Sequence, residues 1–325
     1  MKPDSHLKTM RQILYKTFAK LRGDRLVWNA GSKRLRILCY HGICADKLTG
    51  QPWVPAYFVT AAAFERQLAY LGQNARVLPL SEAVARLRDG SLPSNAVSLT
   101  FDDGYTNNLE LAYPLLHKYQ MPATIFLSSA YMESGELFPF LQMQLIALSG
   151  RDNNAGAPVY KSDPLDRVLE WIGSRWSTVN RNLTQDQLET LRPLTVKQVK
   201  AADTELIEFG AHSHTHCIFK NESRERREQE IRTSINKVAQ WTGRTVRLFS
   251  YPNGEVGDFS ETDKQWLREC GIEAATTGIP GTNGKHTDPL ELKRYPVGLF
   301  HDAVGFRAEV TGFRTAVLAA SGRLG

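Results

Sequence analysis

The sequence predicts an α/β fold with a parallel sheet or barrel at its centre. Three observations predict it. Short β-branched or apolar runs recur along most of the chain, segments of helical period lie between them, and polar clusters follow the ends of several runs. With 325 residues, 42% hydrophobic and 23% charged, the chain can bury a full core, and one large domain accounts for nearly all of it.

The candidate strands are Leu35–His41, Val97–Phe101, Ala123–Leu127, Glu205–Gly210, Val246–Tyr251, Glu273–Thr277 and Tyr295–Leu299. Each is a short apolar or β-branched run of the kind that a sheet covered on both faces requires. Helical periodicity falls near Ala61–Gly72, Ser81–Leu87, Asn107–Tyr119, Leu188–Ala202, Ser223–Thr242 and Glu261–Cys270. Residues 138–195 break this rhythm. There Phe138–Leu148 and Leu165–Trp176 look helical around an Asn- and Gly-rich stretch, which suggests an insertion on the rim. Residues 281–288 read as a loop, and no internal repeat is present.

Charge is uneven. Residues 1–36 carry ten Lys and Arg against Asp4 and Asp24, while the whole chain has a formal charge of +6. The remainder is close to neutral, so the charge gives no support to a nucleic-acid partner. Within the basic segment Leu7, Met10, Leu14, Phe18 and Leu21 recur at helical spacing. Residues 1–34 are thus expected to form a basic amphipathic helix. It either packs on the domain or makes peripheral contact with an anionic membrane. The domain then spans 35–310, and 311–325 form a C-terminal tail. No uninterrupted apolar stretch resembles a secretory leader, and Cys39, Cys44, Cys217 and Cys270 form no paired motif. These features lead us to expect reduced thiols and a cytoplasmic location, on or near the inner face of the membrane.

Three polar clusters follow predicted strands. Phe101 runs into Asp102-Asp103-Gly104-Tyr105, Gly210 runs into Ala211-His212-Ser213-His214-Thr215-His216, and Ser250 runs into Tyr251-Pro252-Asn253-Gly254. In a parallel barrel or open sheet the carboxyl ends of strands collect the reactive groups. Adjacent acids there are costly unless a cation or a reaction uses them, and two histidines four apart can face one metal. A cation held by one carboxylate and two imidazoles would activate water, leaving the second carboxylate to take its proton.

The segments Thr100-Phe101-Asp102-Asp103-Gly104-Tyr105 and His212-Ser213-His214-Thr215-His216 resemble the T-F-D-D-G and H-[ST]-x-x-H motifs of the polysaccharide deacetylases (NodB homology, carbohydrate esterase family four). The resemblance extends over most of residues 35–300. It includes Tyr40-His41, Phe58-Val59, Pro122 to Phe126, Phe249 to Gly254, and Ala275 to Gly278. It implies a distorted (β/α) barrel of about seven parallel strands, fewer than the usual eight. It also implies one zinc-like divalent ion and an N-acylated saccharide substrate. Under the resemblance Asp102 is the general base, and Asp103, His212 and His216 are the metal ligands. Ser213 lies near the ligands, and Tyr105 and Asn253 belong with the substrate and oxyanion contacts.

The chain departs from the family in two places. Where the family reads R-P-P-Y-G, this chain has Ser250-Tyr251-Pro252-Asn253-Gly254, so the arginine that orients the base is absent there. Arg294 is the candidate substitute. Leu299-Phe300-His301 fits the family's short L-x-H pattern and makes His301 the candidate acid. His41 and His214 are the other candidates, His41 being read first as a hydrogen-bonded strand-end residue. The leading expectation is removal of an N-acyl group, acetyl above all, from an amino sugar. A non-sugar amide or cyclic imide, and a glycan-binding domain without catalysis, are the alternatives.

Overall fold

The structure, a computed structural model, describes residues 31–150, 156–298 and 302–314, together with Thr17 and Trp28. The basic N-terminal segment, the Leu299–His301 pattern and the tail beyond 314 thus lie outside the described residues. In chain order the strands are β1 (Arg36–Tyr40), β2 (Ile43–Cys44), β3 (Val59–Thr60), β4 (Arg76–Val77), β5 (Ala96–Phe101), β6 (Ala123–Leu127), β7 (Ile207–Ala211), β8 (Leu248–Ser250), β9 (Ala274–Thr276) and β10 (Tyr295–Pro296). The longer helices are α1 (Ala61–Asn74), α2 (Leu80–Asp89), α3 (Tyr113–Tyr119), α4 (Ser129–Ser134), α5 (Pro139–Leu148), α6 (Leu165–Asn180), α7 (Gln185–Leu191), α8 (Val196–Ala201), α9 (Arg224–Thr242), α10 (Glu261–Glu269) and α11 (Ala303–Val310).

Seven parallel strands run in the order β10-β1-β5-β6-β7-β8-β9, with β4 added beside β5. The sheet curls, and the chain just before β10 spans its two edges. Leu292 exchanges backbone hydrogen bonds with Ala275 and Thr277 at β9, and three residues later Tyr295 pairs with Leu38 of β1. This is the distorted barrel of about seven strands that the resemblance implies.

Strand alternation sorts the side chains. Leu38 and Tyr40 of β1 join the main core with Phe64 and Phe101, while Leu35 and Ile37 point the other way. Those two share a smaller core with Phe126, Leu248 and Ala274, on which Leu80, Val84 and Leu87 of α2 pack. This amphipathic helix therefore seals one end of the curl. Polar residues are left to occupy the other end, at the carboxyl termini of the strands.

Two element expectations need correction. The helix expected at Leu188–Ala202 is two helices, α7 and α8. Pro193 cannot donate a helical hydrogen bond and disfavours helix in the residue before it, and Thr195 then caps α8 through a reciprocal bond pair with Gln198. The helix expected from Asn107 begins as a wide turn at Asn108–Ala112, and the regular helix starts only at Tyr113. The segment that breaks the rhythm lies between β6 and β7 and carries α5, α6 and α7.

Candidate metal centre and active site

The two acids stand directly after β5, and their backbone explains how they can face one centre. Asp103 and Gly104 have φ of +73° and +80°, a left-handed reversal that turns the chain over at the end of the strand. Ser213, His216 and Asn253, in the other two clusters, also have positive φ. Non-glycine residues rarely adopt this region, and their gathering at one end of the sheet marks backbone strain held for a site.

Asp103, His212 and His216 are buried, and their donor atoms lie within 4.8 Å of one another. Asp103 Oδ1 is 3.5 Å from His212 Nε2 and 3.2 Å from His216 Nε2. The other ring nitrogens are occupied elsewhere. His212 Nδ1 lies 2.7 Å from the Ser250 carbonyl, an acceptor only, so it carries the proton and leaves Nε2 with its lone pair. Asp103 Oδ1 is buried with no hydrogen-bond partner among the described residues. A carboxylate oxygen and two imidazole nitrogens that converge without a proton among them fit a divalent cation of the zinc type, with positions left for water and substrate.

Asp102 has a different partner. Arg294 Nη1 and Nη2 donate to its two carboxylate oxygens at 2.7 and 2.6 Å, while Arg294 Nε donates to the Thr277 carbonyl at 2.8 Å. Arg294 Nη2 also donates to Ser250 Oγ at 3.1 Å. Ser250 stands where the resemblance would place an arginine, and Arg294 sends its planar fork to Asp102 from another part of the chain. Burial favours the neutral acid, but the charge of Arg294 and its hydrogen bonds outweigh it and hold Asp102 down to about 2. Asp102 Oδ2 is 4.0 Å from His212 Nε2, beside the centre.

The site opens into a cavity of about 490 Å³ lined by His41, Tyr57, Phe140, Tyr160, Ile218 and Asn253, among others. That volume suits a small ligand, and the walls are partly aromatic. His41 was expected to be a hydrogen-bonded strand-end residue. Instead its ring lies 4.7 Å from that of Tyr57 and its buried Nδ1 has no partner among the described residues. Burial lowers its pKa despite both aspartates. His214 turns away from the cavity, with Nδ1 2.8 Å from Ser129 Oγ. The Ser213 hydroxyl is buried, also without a described partner.

The Tyr105 side chain is not at the cavity. It is fully buried, its ring 4.8 Å from that of Phe58 and 5.5 Å from that of Phe138. A part for Tyr105 in oxyanion binding is thereby restricted to its backbone N–H. Asn253 does reach the cavity, on a turn braced by its own amide donating to Asp258 and by close approach to Gly278. The candidate acid His301 lies outside the described residues. Tyr57, Tyr160 and Lys161 escaped sequence reasoning because they stand in irregular segments with no periodic or motif signal.

Fold and site together define a class: a curled parallel barrel with an Asp-His-His candidate cation site and a second, arginine-clamped carboxylate at its open end. A family model described as polysaccharide deacetylase matches residues 89–275, and the chain belongs to that family. It is 37% identical over 112 residues to YxkH of Bacillus subtilis, a stretch covering 33% of this chain and 37% of that protein. It is also 35% identical over 77 residues to a poly-β-1,6-N-acetyl-D-glucosamine N-deacetylase of Staphylococcus aureus, covering 23% of this chain and 27% of that one. The chain thus spans well under half the length of these curated relatives. Among solved structures, the deacetylase PplD of Streptococcus pyogenes aligns with a TM-score of 0.60 at 19% identity, over 85% of this chain and 98% of that one. IcaB of Ammonifex degensii aligns at 0.58 and 19%, over 86% and 97%. These two likenesses concern the fold.

Proposed function

We propose that this chain is a metal-dependent hydrolase that removes an N-acetyl group from an amino sugar in a bacterial polysaccharide or lipid-linked saccharide. The observation that carries the reading is the pairing of two differently held acids, Asp103 facing two proton-free imidazole nitrogens and Asp102 gripped by Arg294. The name of the staphylococcal relative supports N-acetylglucosamine units as the substrate class.

Asp103, His212 and His216 would hold the cation, taken as zinc, which when bound supplies water activation and polarisation of the acyl carbonyl. Arg294 keeps Asp102 ionised and fixes its plane, so that this carboxylate is ready to accept the proton of the attacking water. The backbone N–H groups of Tyr105 and Asn253 are the candidate donors to the oxyanion. His301 is the proposed acid for the leaving amine, and His41 is the described histidine, other than the ligands, that faces the cavity.

Mass spectrometry of N-acetylated glucosamine oligomers incubated with the chain and zinc tests the reaction. The expected result is loss of one acetyl group per turnover, with Asp102→Asn slower by roughly 10²–10⁴-fold yet still binding zinc. An unchanged rate for that variant would refute the assignment of the base. The corresponding loss for His301→Ala or for His41→Ala identifies the acid.

The basic segment 1–34 supports a peripheral contact with the inner, anionic face of the membrane. The free thiols at Cys39, Cys44, Cys217 and Cys270 are consistent with a reducing compartment. Among the described residues no helix is long and apolar enough to cross a membrane. Pelleting with anionic liposomes should be stronger for the full chain than for a chain lacking residues 1–34, and equal pelleting would refute the contact.

A further inference from the structure

His212 owes its tautomer to the backbone of β8, but no strand performs this service for His216. The group that does comes from the segment that interrupts the sheet. Tyr160 Oη lies 3.0 Å from His216 Nδ1 and 2.7 Å from the His216 carbonyl. A phenol has one proton and an oxygen that accepts. The carbonyl can only accept, so the phenol proton goes to it, and Nδ1–H donates back to the phenol oxygen. The two bonds together leave His216 Nε2 without a proton, 3.2 Å from Asp103 Oδ1. They also brace a residue whose backbone is strained at φ of +55°.

Tyr160 is itself fastened in place. Val159 N–H donates to Asp163 Oδ2 at 2.7 Å, closing a tight turn around Tyr160. Asn221 Nδ2 donates to the Asp163 carbonyl at 3.2 Å, Leu165 N–H donates to Glu222 Oε1 at 2.8 Å, and Lys161 pairs with Glu255 at 2.7 Å. The turn is thus tied to the chain after β7 and after β8, the strands that deliver His212 and Asn253. Its ring packs edge-on to Phe140, with centroids 5.5 Å apart, and Phe140 in turn lies 5.0 Å from the His216 ring.

We infer that Tyr160 is a positioning residue for the metal, and that the inserted segment is the outer half of the metal site as well as a wall of the cavity. This rests on the hydrolase reading above. Partners that orient a metal-bound histidine change metal affinity substantially when removed. Because coupling is reciprocal, a cation must also steady the turn that carries Tyr160.

Zinc affinity by competition with a chromophoric chelator, in the full chain and in Tyr160→Phe, tests the inference. Phenylalanine keeps the ring and removes only the hydroxyl. The expected result is zinc binding weaker by roughly 10–100-fold, with His216 changing in ¹⁵N NMR from the Nδ1–H tautomer to a mixture. Equal affinities, or an affinity loss with the tautomer unchanged, would overturn it. A second measurement needs no variant: hydrogen exchange of residues 157–164 in the unaltered chain should slow on adding zinc, and unchanged exchange would overturn the coupling. An unaltered chain that binds no divalent ion would overturn the hydrolase reading together with this one. One that binds zinc and deacetylates while Tyr160→Phe matches it would overturn this inference alone.

Discussion

At the scale of single residues, two neighbouring aspartates do different work because different partners reach them. Asp102 is buried against Arg294, and its folded pKa of about 2 lies below the ordinary value of about 3.9. The pairing therefore contributes stability that is fully present above about pH 4 and lost as pH falls through about 2. Replacing Arg294 by Met would leave a buried, unpaired carboxylate, at a cost of roughly 3–5 kcal/mol near neutrality. That cost should shrink as acid protonates Asp102, and urea unfolding at a series of pH values would show it. A loss of the same size at every pH would count against the pairing. Asp102, Asp103, His212 and His216 were legible in the sequence because each motif is local and follows a strand. The partner of Asp102 was harder to read, since Arg294 stands 192 positions away and nothing near it has the form of a motif. Its one sequence signal is indirect, the absence of an arginine at Ser250.

At the scale of elements, the strands that position the site were readable from apolar runs, and their observed bounds fall within a few residues of those expected. The two-residue strands β2, β3 and β4 were not, because two residues show no alternation. The break at Pro193 was hidden because α7 and α8 continue one helical period across it. Of the cavity walls, Tyr57 and Tyr160 lie in chain without period, where only tertiary contact decides what a side chain faces. Turns matter as much as strands here. The turn bearing Asn253 rests on Gly278, where an added Cβ would meet the Asn253 carbonyl. Gly278→Ala should therefore displace that turn and lower kcat at least tenfold, while moving the thermal midpoint by only a few degrees, the equivalent of about 1–2 kcal/mol. Parallel activity and melting measurements would separate the two effects, and wild-type kcat would show that the contact is unimportant.

For the whole molecule, the candidate cation site joins elements far apart in sequence, with Asp103 after β5 and both histidines after β7. A ligand bound only by the folded chain stabilises it by mass action, about 2.7 kcal/mol at a hundredfold excess over Kd. Zinc should accordingly raise the melting midpoint by roughly 5 °C, and a chelator should reverse the shift. His212→Ala should show no shift; a full shift in that variant would place the ion elsewhere. The segment linking the sheet's two edges has a bearing on timing. It pairs with β9 at Leu292 and β1 at Tyr295, and between them it carries Arg294. The last link in the ring is thus also the hand on Asp102. A nascent or partly opened chain could assemble Asp103, His212 and His216 but would leave Asp102 unsteered, so its arginine clamp forms only when the circle is shut.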